Sequence, residues 1–189
     1  MTSGNRRSQL TALLLTIFGA LLRLAPHPPN FAPIGATGLF SGSRLQGWLA
    51  YLVPLVAMIV TDPIRSAMEG HYPSYSSGTI IVYASLLVYV YLGRKVMRCS
   101  QNPVRIGLAC LLGSTQFFLV TNFFVWLGDE GGYPHTSAGL IACYTAAIPF
   151  FERTVLSDLF YTAVLTTAYL FVTRRIAPKE QQIQNLAAR

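Results

Sequence analysis

Residues 104–127 read VRIGLACLLGSTQFFLVTNFFVWL and carry a single charged side chain, Arg105. A helix needs about 20 predominantly apolar residues to cross the roughly 30 Å hydrocarbon core of a bilayer. This stretch is long enough to cross with some tilt. The stretch therefore predicts a membrane-spanning helix.

The composition of the whole chain favours lipid. Of its 189 residues, 52% are hydrophobic and 11% are charged, and the mean hydropathy is +0.45. One small globular core cannot bury that much apolar surface. We therefore expect an all-α, polytopic membrane protein in which residues 1–189 form a single transmembrane domain of six helices, with no soluble domain.

The apolar runs set the expected boundaries. Proline removes a backbone donor, so Pro26 should end the first run and Asp62-Pro63 the third. The second run is rich in glycine, so its backbone can approach a neighbouring helix closely. Its glycines are Gly35, Gly38 and Gly42. The predicted spans are residues 9–25, 31–43, 45–61, 78–93, 104–127 and 154–172.

Residues 138–151 are apolar but too short for a span, a length typical of a re-entrant or interfacial element. We predict that they form an outer lid between the fifth and sixth helices. Counting them as a seventh span would place Arg174 and Arg175 outside. The positive-inside rule opposes that arrangement.

With the lid outside and both termini in the cytoplasm, 11 of the 14 basic residues lie inside, and only Arg23, Arg65 and Arg153 lie outside. Basic residues between apolar spans act as topology signals, so the net charge of +7 does not indicate nucleic-acid binding. The inside set is Arg6, Arg7, Arg44, Arg94, Lys95, Arg98, Arg105, Arg174, Arg175, Lys179 and Arg189. The last four belong to the predicted cytoplasmic tail, residues 174–189. The outside acids are Asp62, Glu69, Asp129, Glu130, Glu152 and Asp158.

The chemical motifs point away from an enzyme. Cys99, Cys110 and Cys143 show no metal-ligand or disulfide spacing. No HExxH, GxSxG, P-loop or dinucleotide-binding motif occurs. We therefore expect no catalytic residues, no metal site and no intrinsic cofactor. A membrane enzyme that uses the histidines is the weakest hypothesis.

Polar residues near the outer ends of the spans suggest a ligand site. Ionisable and amide groups at membrane depth are costly unless they face a partner or a water-filled cavity. The predicted substrate-binding residues are Asn30, Asp62, His71, Asn122, Trp126, His135, Tyr144 and Asp158. Each has a structural alternative: helix caps for the aspartates, helix contact for Asn122, a membrane-interface aromatic for Trp126 and a solvated loop residue for each histidine.

Small residues recur every four positions in the first helix, at Ala12, Thr16 and Ala20. Such a stripe lets another helix pack closely. The contact is either internal or with a partner subunit, and we retain partner docking as a hypothesis.

Two motifs carry a family resemblance: PHPPNFAPIGA at residues 26–36 and CYTAAIPFF at residues 143–151. With Thr121-Asn122-Phe123 and Tyr133-Pro134, they resemble an uncharacterised family of small bacterial membrane proteins. The architecture is similar to that of the S (substrate-binding) components of energy-coupling factor vitamin transporters. That likeness implies a bacterial inner-membrane location, a vitamin-like ligand at the outer loops and a coupling subunit docked on the first helix. In the small vitamin B12 transporter of that group, a cysteine near the second outer loop ligates cobalt. This chain has no cysteine between Met1 and Met97, which argues against cobalamin.

The sequence therefore predicts a membrane-embedded component that binds a small molecule for uptake. A structural or assembly subunit of a larger membrane complex is the alternative, because large apolar faces suit it equally well.

Overall fold

A computed structural model describes residues 3–70, 75–98, 100–128 and 131–187 of the chain. These ranges contain helices and loops and no strand, so the all-helical prediction is confirmed for them. His71, Cys99, Asp129, Glu130 and Arg189, which entered the predictions above, lie outside these ranges. The helices are α1 (Ser3–Leu22), α2 (Ile34–Arg44), α3 (Leu49–Glu69), α4 (Ser77–Val96), α5 (Pro103–Leu127) and α6 (Ser137–Ala187).

Among the described residues, four helices are long and apolar enough to cross a membrane, and they lie within α3, α4, α5 and α6. The chain thus has the helices of a membrane protein. The predicted count of six spans is not confirmed, because neither α1 nor α2 is among these four helices. Helix α2 has 11 residues and is about 16 Å long, roughly half the hydrocarbon thickness.

Helix α2 lies at the centre of the bundle. Every residue from 35 to 44 is buried, and the helix contacts all five other helices. Its closest neighbour is α4, because a Cβ at Gly42 would overlap the Val90 carbonyl and a Cβ at Gly93 would overlap the Leu39 backbone. The close approach predicted for the glycine-rich run is confirmed. Two backbones in contact pack well without large side chains between them.

Helix α3 continues to Glu69, although Asp62-Pro63 was expected to end it. A proline inside a helix leaves the carbonyl four residues earlier without its amide donor. The hydroxyl of Tyr75 donates to the Ile59 carbonyl at 2.7 Å, which replaces the donor missing at Pro63. The hydroxyl of Ser41 donates in the same way to the Ala50 carbonyl at 2.9 Å, opposite Pro54. Side chains from elsewhere in the bundle thus keep α3 continuous.

Residues 138–151 do not form a separate lid. They are the first part of α6, which runs without a break through the predicted sixth span. Glu152 and Arg153 separate the two apolar runs, but both residue types favour helix, so charge did not mark a boundary there. The segment lies along α5, where the Tyr144 hydroxyl donates to the Leu119 carbonyl at 2.6 Å.

The small-residue stripe on α1 faces the inside of the bundle. Ala12 and Thr16 are fully buried, and Ala20 is 6% exposed. Helix α1 contacts α2, α3 and α6, so the stripe serves the internal contact. The described contact is therefore the internal one of the two alternatives that the sequence left open.

The two ends of the bundle differ in chemistry. At one end, Arg44 donates to the Ser100 carbonyl at 2.8 Å, Arg94 donates to the Gly47 carbonyl at 2.8 Å and Arg174 donates to Gln101 at 2.9 Å. We call this the basic end. At the other end, α1, α3 and α5 end while α4 and α6 begin. We call it the cavity end, after the feature described next.

Candidate functional site

The largest cavity described has a volume of about 710 Å³ and lies at the cavity end. Its wall comes from the chain just after α1, the start of α2, the outer half of α3, the first turns of α4 and the last turns of α5. Most lining residues are apolar, such as Ile34, Val82 and Phe124. Clefts that bind small molecules measure about 300–1,000 Å³ and are mainly apolar with a few placed polar groups. The cavity meets that description.

A buried ion pair forms the polar part of its wall. Arg23 Nη1 lies 2.6 Å from Asp62 Oδ1, and the two side chains are 6% and 15% exposed. The same nitrogen donates to Thr61 Oγ1 at 2.9 Å and approaches Met58 Sδ at 3.0 Å. The hydroxyl of Tyr83 donates to Asp62 Oδ2 at 2.5 Å. The pair therefore holds the end of α1 against α3 and α4.

Arg23 also has an unused donor. Its Nε is buried and has no hydrogen-bond partner. A buried donor without an acceptor costs about 1–3 kcal/mol. The same side chain lines a second cavity of about 270 Å³, which lies towards His27 and Arg65. Arg23 therefore stands between the large cavity and a recess nearer the end of the bundle.

We expect Asp62→Asn to lower the free energy of unfolding by about 2 kcal/mol, because hydrogen bonds to charged groups contribute about 1.5–3 kcal/mol. Unfolding of the purified chain in detergent micelles measures the loss. The matched control is Glu69→Gln in the exposed Arg65–Glu69 pair, where the two side chains are 31% and 47% exposed. Exposed pairs contribute at most about 1 kcal/mol. Equal losses in the two variants would contradict the described burial of the Arg23–Asp62 pair.

A second polar centre surrounds Asp158, which is 1% exposed. Tyr89 and Ser114 each donate a hydroxyl hydrogen to Asp158 Oδ2 at 2.7 Å. The carboxylate also accepts a hydrogen bond from the backbone amide of Ala36, in the first turn of α2. Asp158 thus joins α2, α4, α5 and α6. The alternative that Asp158 caps the start of a helix is wrong, because it lies inside the continuous α6.

The eight predicted substrate-binding residues do not converge on one site. Asp62 lines the large cavity. Asn30 and Asp158 line a separate cavity of about 60 Å³. His71 lies outside the described residues. The structure therefore brings only some of the predicted set next to a cavity.

The other four predicted residues lie along the α5–α6 side and line none of the four cavities described. The indole of Trp126 donates to the Pro134 carbonyl at 3.0 Å, and its ring lies 5.7 Å from that of His135. The Asn122 side chain donates to the Phe118 carbonyl of its own helix at 2.8 Å. The Tyr144 hydroxyl donates to the Leu119 carbonyl of α5, as described above. In this structure each of these contacts is internal to the chain.

Sequence reasoning missed Arg23, Tyr83, Tyr89 and Ser114. For Arg23 a signal existed, since it is one of only three basic residues that the predicted topology leaves outside. For the tyrosines and the serine no signal existed, because such residues are common in membrane helices and only their neighbours give them a role. Among the described residues, no group of three His, Cys, Asp or Glu side chains is arranged to hold a metal ion.

A family model described as a family of unknown function (DUF6580) matches residues 3–182. No curated protein and no solved structure matches the chain.

Proposed function

This chain belongs to the DUF6580 family, whose function is unknown, and we propose on that premise that it is a membrane-embedded component that binds a small molecule for uptake. The observation that carries the proposal is the cavity of about 710 Å³, mainly apolar and bordered by the Arg23–Asp62 pair. Intramembrane charges are retained where they face a partner or a cavity. This pair does both.

The distribution of charge supports uptake from outside. Cytoplasmic loops of membrane proteins carry an excess of Lys and Arg. The basic end would then face the cytoplasm, with the large cavity on the outer side of a bacterial inner membrane. A ligand would reach it past Arg23 from the recess that contains His27.

The likeness to S components of energy-coupling factor transporters supports the same role at the level of topology. Fold alone does not establish function, so this support is analogy. The cavity adds a reason of its own, because its size suits a vitamin-sized molecule. Since the α1 stripe is buried, a coupling subunit would have to contact another surface. The ligand contacts we propose are Arg23, Asp62, Thr121 and the ring of Phe124.

Filling the cavity tests the proposal. Thr121 lines it, and its hydroxyl donates to the Phe117 carbonyl at 2.7 Å. Thr145 makes the matching bond to the Ile141 carbonyl at 2.7 Å, is exposed and lines none of the described cavities, so Thr145→Trp is the matched control. Each variant is purified from native membranes in mild detergent, and small molecules are identified by mass spectrometry.

We expect a small molecule to copurify with the unaltered chain and with Thr145→Trp, and its amount to fall about tenfold with Thr121→Trp, equivalent to about 1.4 kcal/mol of binding. Unchanged recovery with Thr121→Trp would overturn the assignment of this cavity. A chain that carries no small molecule and forms a stable complex with membrane proteins unrelated to transport would favour the assembly-subunit alternative.

A further inference from the structure

We infer that the ligand of the large cavity is a net-neutral, largely apolar molecule that presents a carbonyl-type oxygen to Arg23. The inference rests on the proposed function and narrows it to a chemical class. Three properties of the cavity wall carry it: its net charge, its unused hydrogen-bond donors and its apolar remainder.

The described part of the wall has no net charge. Arg23 and Asp62 are the charged side chains among the described residues that line the cavity, and they pair at 2.6 Å. A charged ligand would lose its hydration on entering and would find both charges already paired. Asp62 has an acceptor bond on each oxygen, from Arg23 and from Tyr83. A neutral molecule avoids this cost.

The unused hydrogen-bonding capacity is mainly that of donors. The buried Nε of Arg23 has no acceptor. At the start of α4, the side chains of Ser76 and Thr79 accept each other's backbone amides in a capping box, which leaves each hydroxyl hydrogen available. Both residues line the cavity, beside Gly78 in the first turn of α4. A carbonyl or ether oxygen is neutral and accepts hydrogen bonds without donating any, so a ligand with such an oxygen matches this wall.

The rest of the wall favours an apolar body for the ligand. Aliphatic and aromatic side chains from α2, α3, α4 and α5 surround the polar corner, including Ile34, Met58, Ile81 and Phe124. Thr121 has already donated its hydroxyl hydrogen to the Phe117 carbonyl. Burial of apolar surface contributes about 25 cal/mol per Å², and it requires no exact geometry. The oxygen therefore orients the ligand while the apolar body supplies most of the contact.

Charge-selective labelling tests the inference without knowledge of the ligand. Thr121→Cys places a thiol in the wall of the cavity. The full chain in detergent micelles is treated with neutral, anionic and cationic methanethiosulfonate reagents of similar size, and adducts are counted by intact-protein mass against the unaltered chain. Ser137→Cys is the matched control, because Ser137 is exposed at the start of α6 and lies outside the cavity.

We expect the neutral reagent to modify Thr121→Cys about tenfold faster than either charged reagent, each rate being divided by the rate at Ser137→Cys. In the double variant with Asp62→Asn, Arg23 gives the cavity a net positive charge. The ratio of anionic to neutral rates should then rise about tenfold.

Three results would overturn the inference, and they differ in whether the proposed binding function is overturned as well. A charged reagent that reacts at Thr121→Cys as fast as the neutral one, or an anionic rate that Asp62→Asn leaves unchanged, would exclude a charge-neutral cavity and leave the proposed binding function standing. No modification of Thr121→Cys by any reagent, with Ser137→Cys reactive, would mean that the cavity is closed and would overturn both proposals.

Discussion

Asp158→Ala is expected to lower the free energy of unfolding by about 4 kcal/mol, within the range for breaking a buried charged network. The carboxylate accepts hydrogen bonds from Tyr89, Ser114 and the Ala36 amide. Alanine would leave the Tyr89 hydroxyl and the Ala36 amide without this acceptor, whereas Ser114 would keep its bond to the Cys110 carbonyl at 2.9 Å. Asp158 is 1% exposed, so the lost acceptor lies in the interior of the bundle. Chemical unfolding of the purified chain in detergent micelles measures the change.

The neighbouring residue supplies the control for that experiment. Ser157 is also 1% exposed, and its hydroxyl makes a single neutral hydrogen bond, to the Ala32 carbonyl at 2.8 Å. Ser157→Ala should therefore cost about 1 kcal/mol. Asp158→Asn keeps one carbonyl acceptor and should fall between the two alanine variants. If Asp158→Ala were as mild as Ser157→Ala, Asp158 would not be the point that joins four helices.

Gly93→Leu is expected to cost about 3 kcal/mol, because overpacked positions force the backbone to move. Even a Cβ at Gly93 would overlap the Leu39 backbone, and backbone cannot rotate away as a side chain can. Helix α2 would have to leave α4, and its burial depends on that contact. The same unfolding measurement detects the loss.

Gly107→Leu is the matched control for this position, since it changes another glycine within a helix. A Cβ at Gly107 would meet nothing within 4 Å. Leucine is the better helix former of the two by less than about 1 kcal/mol, so Gly107→Leu should be neutral or slightly stabilising. Equal losses at the two positions would mean that the α2–α4 approach is not what makes Gly93 necessary.

The best predicted helices were those whose ends depend on local sequence. The prediction of 104–127 became Pro103–Leu127, and 78–93 became Ser77–Val96. Asn102 caps α5 by accepting from the Val104 amide at 2.9 Å, and Pro103 occupies the first helical position. Such signals lie within a few residues of the boundary, so they can be read without the fold.

The errors arose where distant residues replace a local signal. Pro63 indicated the end of α3, because it leaves the Ile59 carbonyl without its amide donor. The Tyr75 hydroxyl, 16 positions along the chain from Ile59, donates to that carbonyl instead. For the candidate site, the sequence indicated Asp62 and Asp158 because buried carboxylates are rare. It did not indicate which residues pair with them or donate hydrogen bonds to them. Arg23 lies 39 positions from Asp62, and Ser114 lies 44 positions from Asp158.

The sequence by itself determined that this chain is helical, that its helices have the apolar character of membrane spans and that a glycine-rich run allows close packing. Each follows from hydropathy, propensity or side-chain size, which are properties of neighbouring residues. Only the tertiary structure decided that α2 is a short central helix, that residues 138–151 belong to α6 and that Arg23 borders a cavity. Those depend on which helices meet, because a buried polar group is stable only with a partner, and the bundle alone brings the partners together.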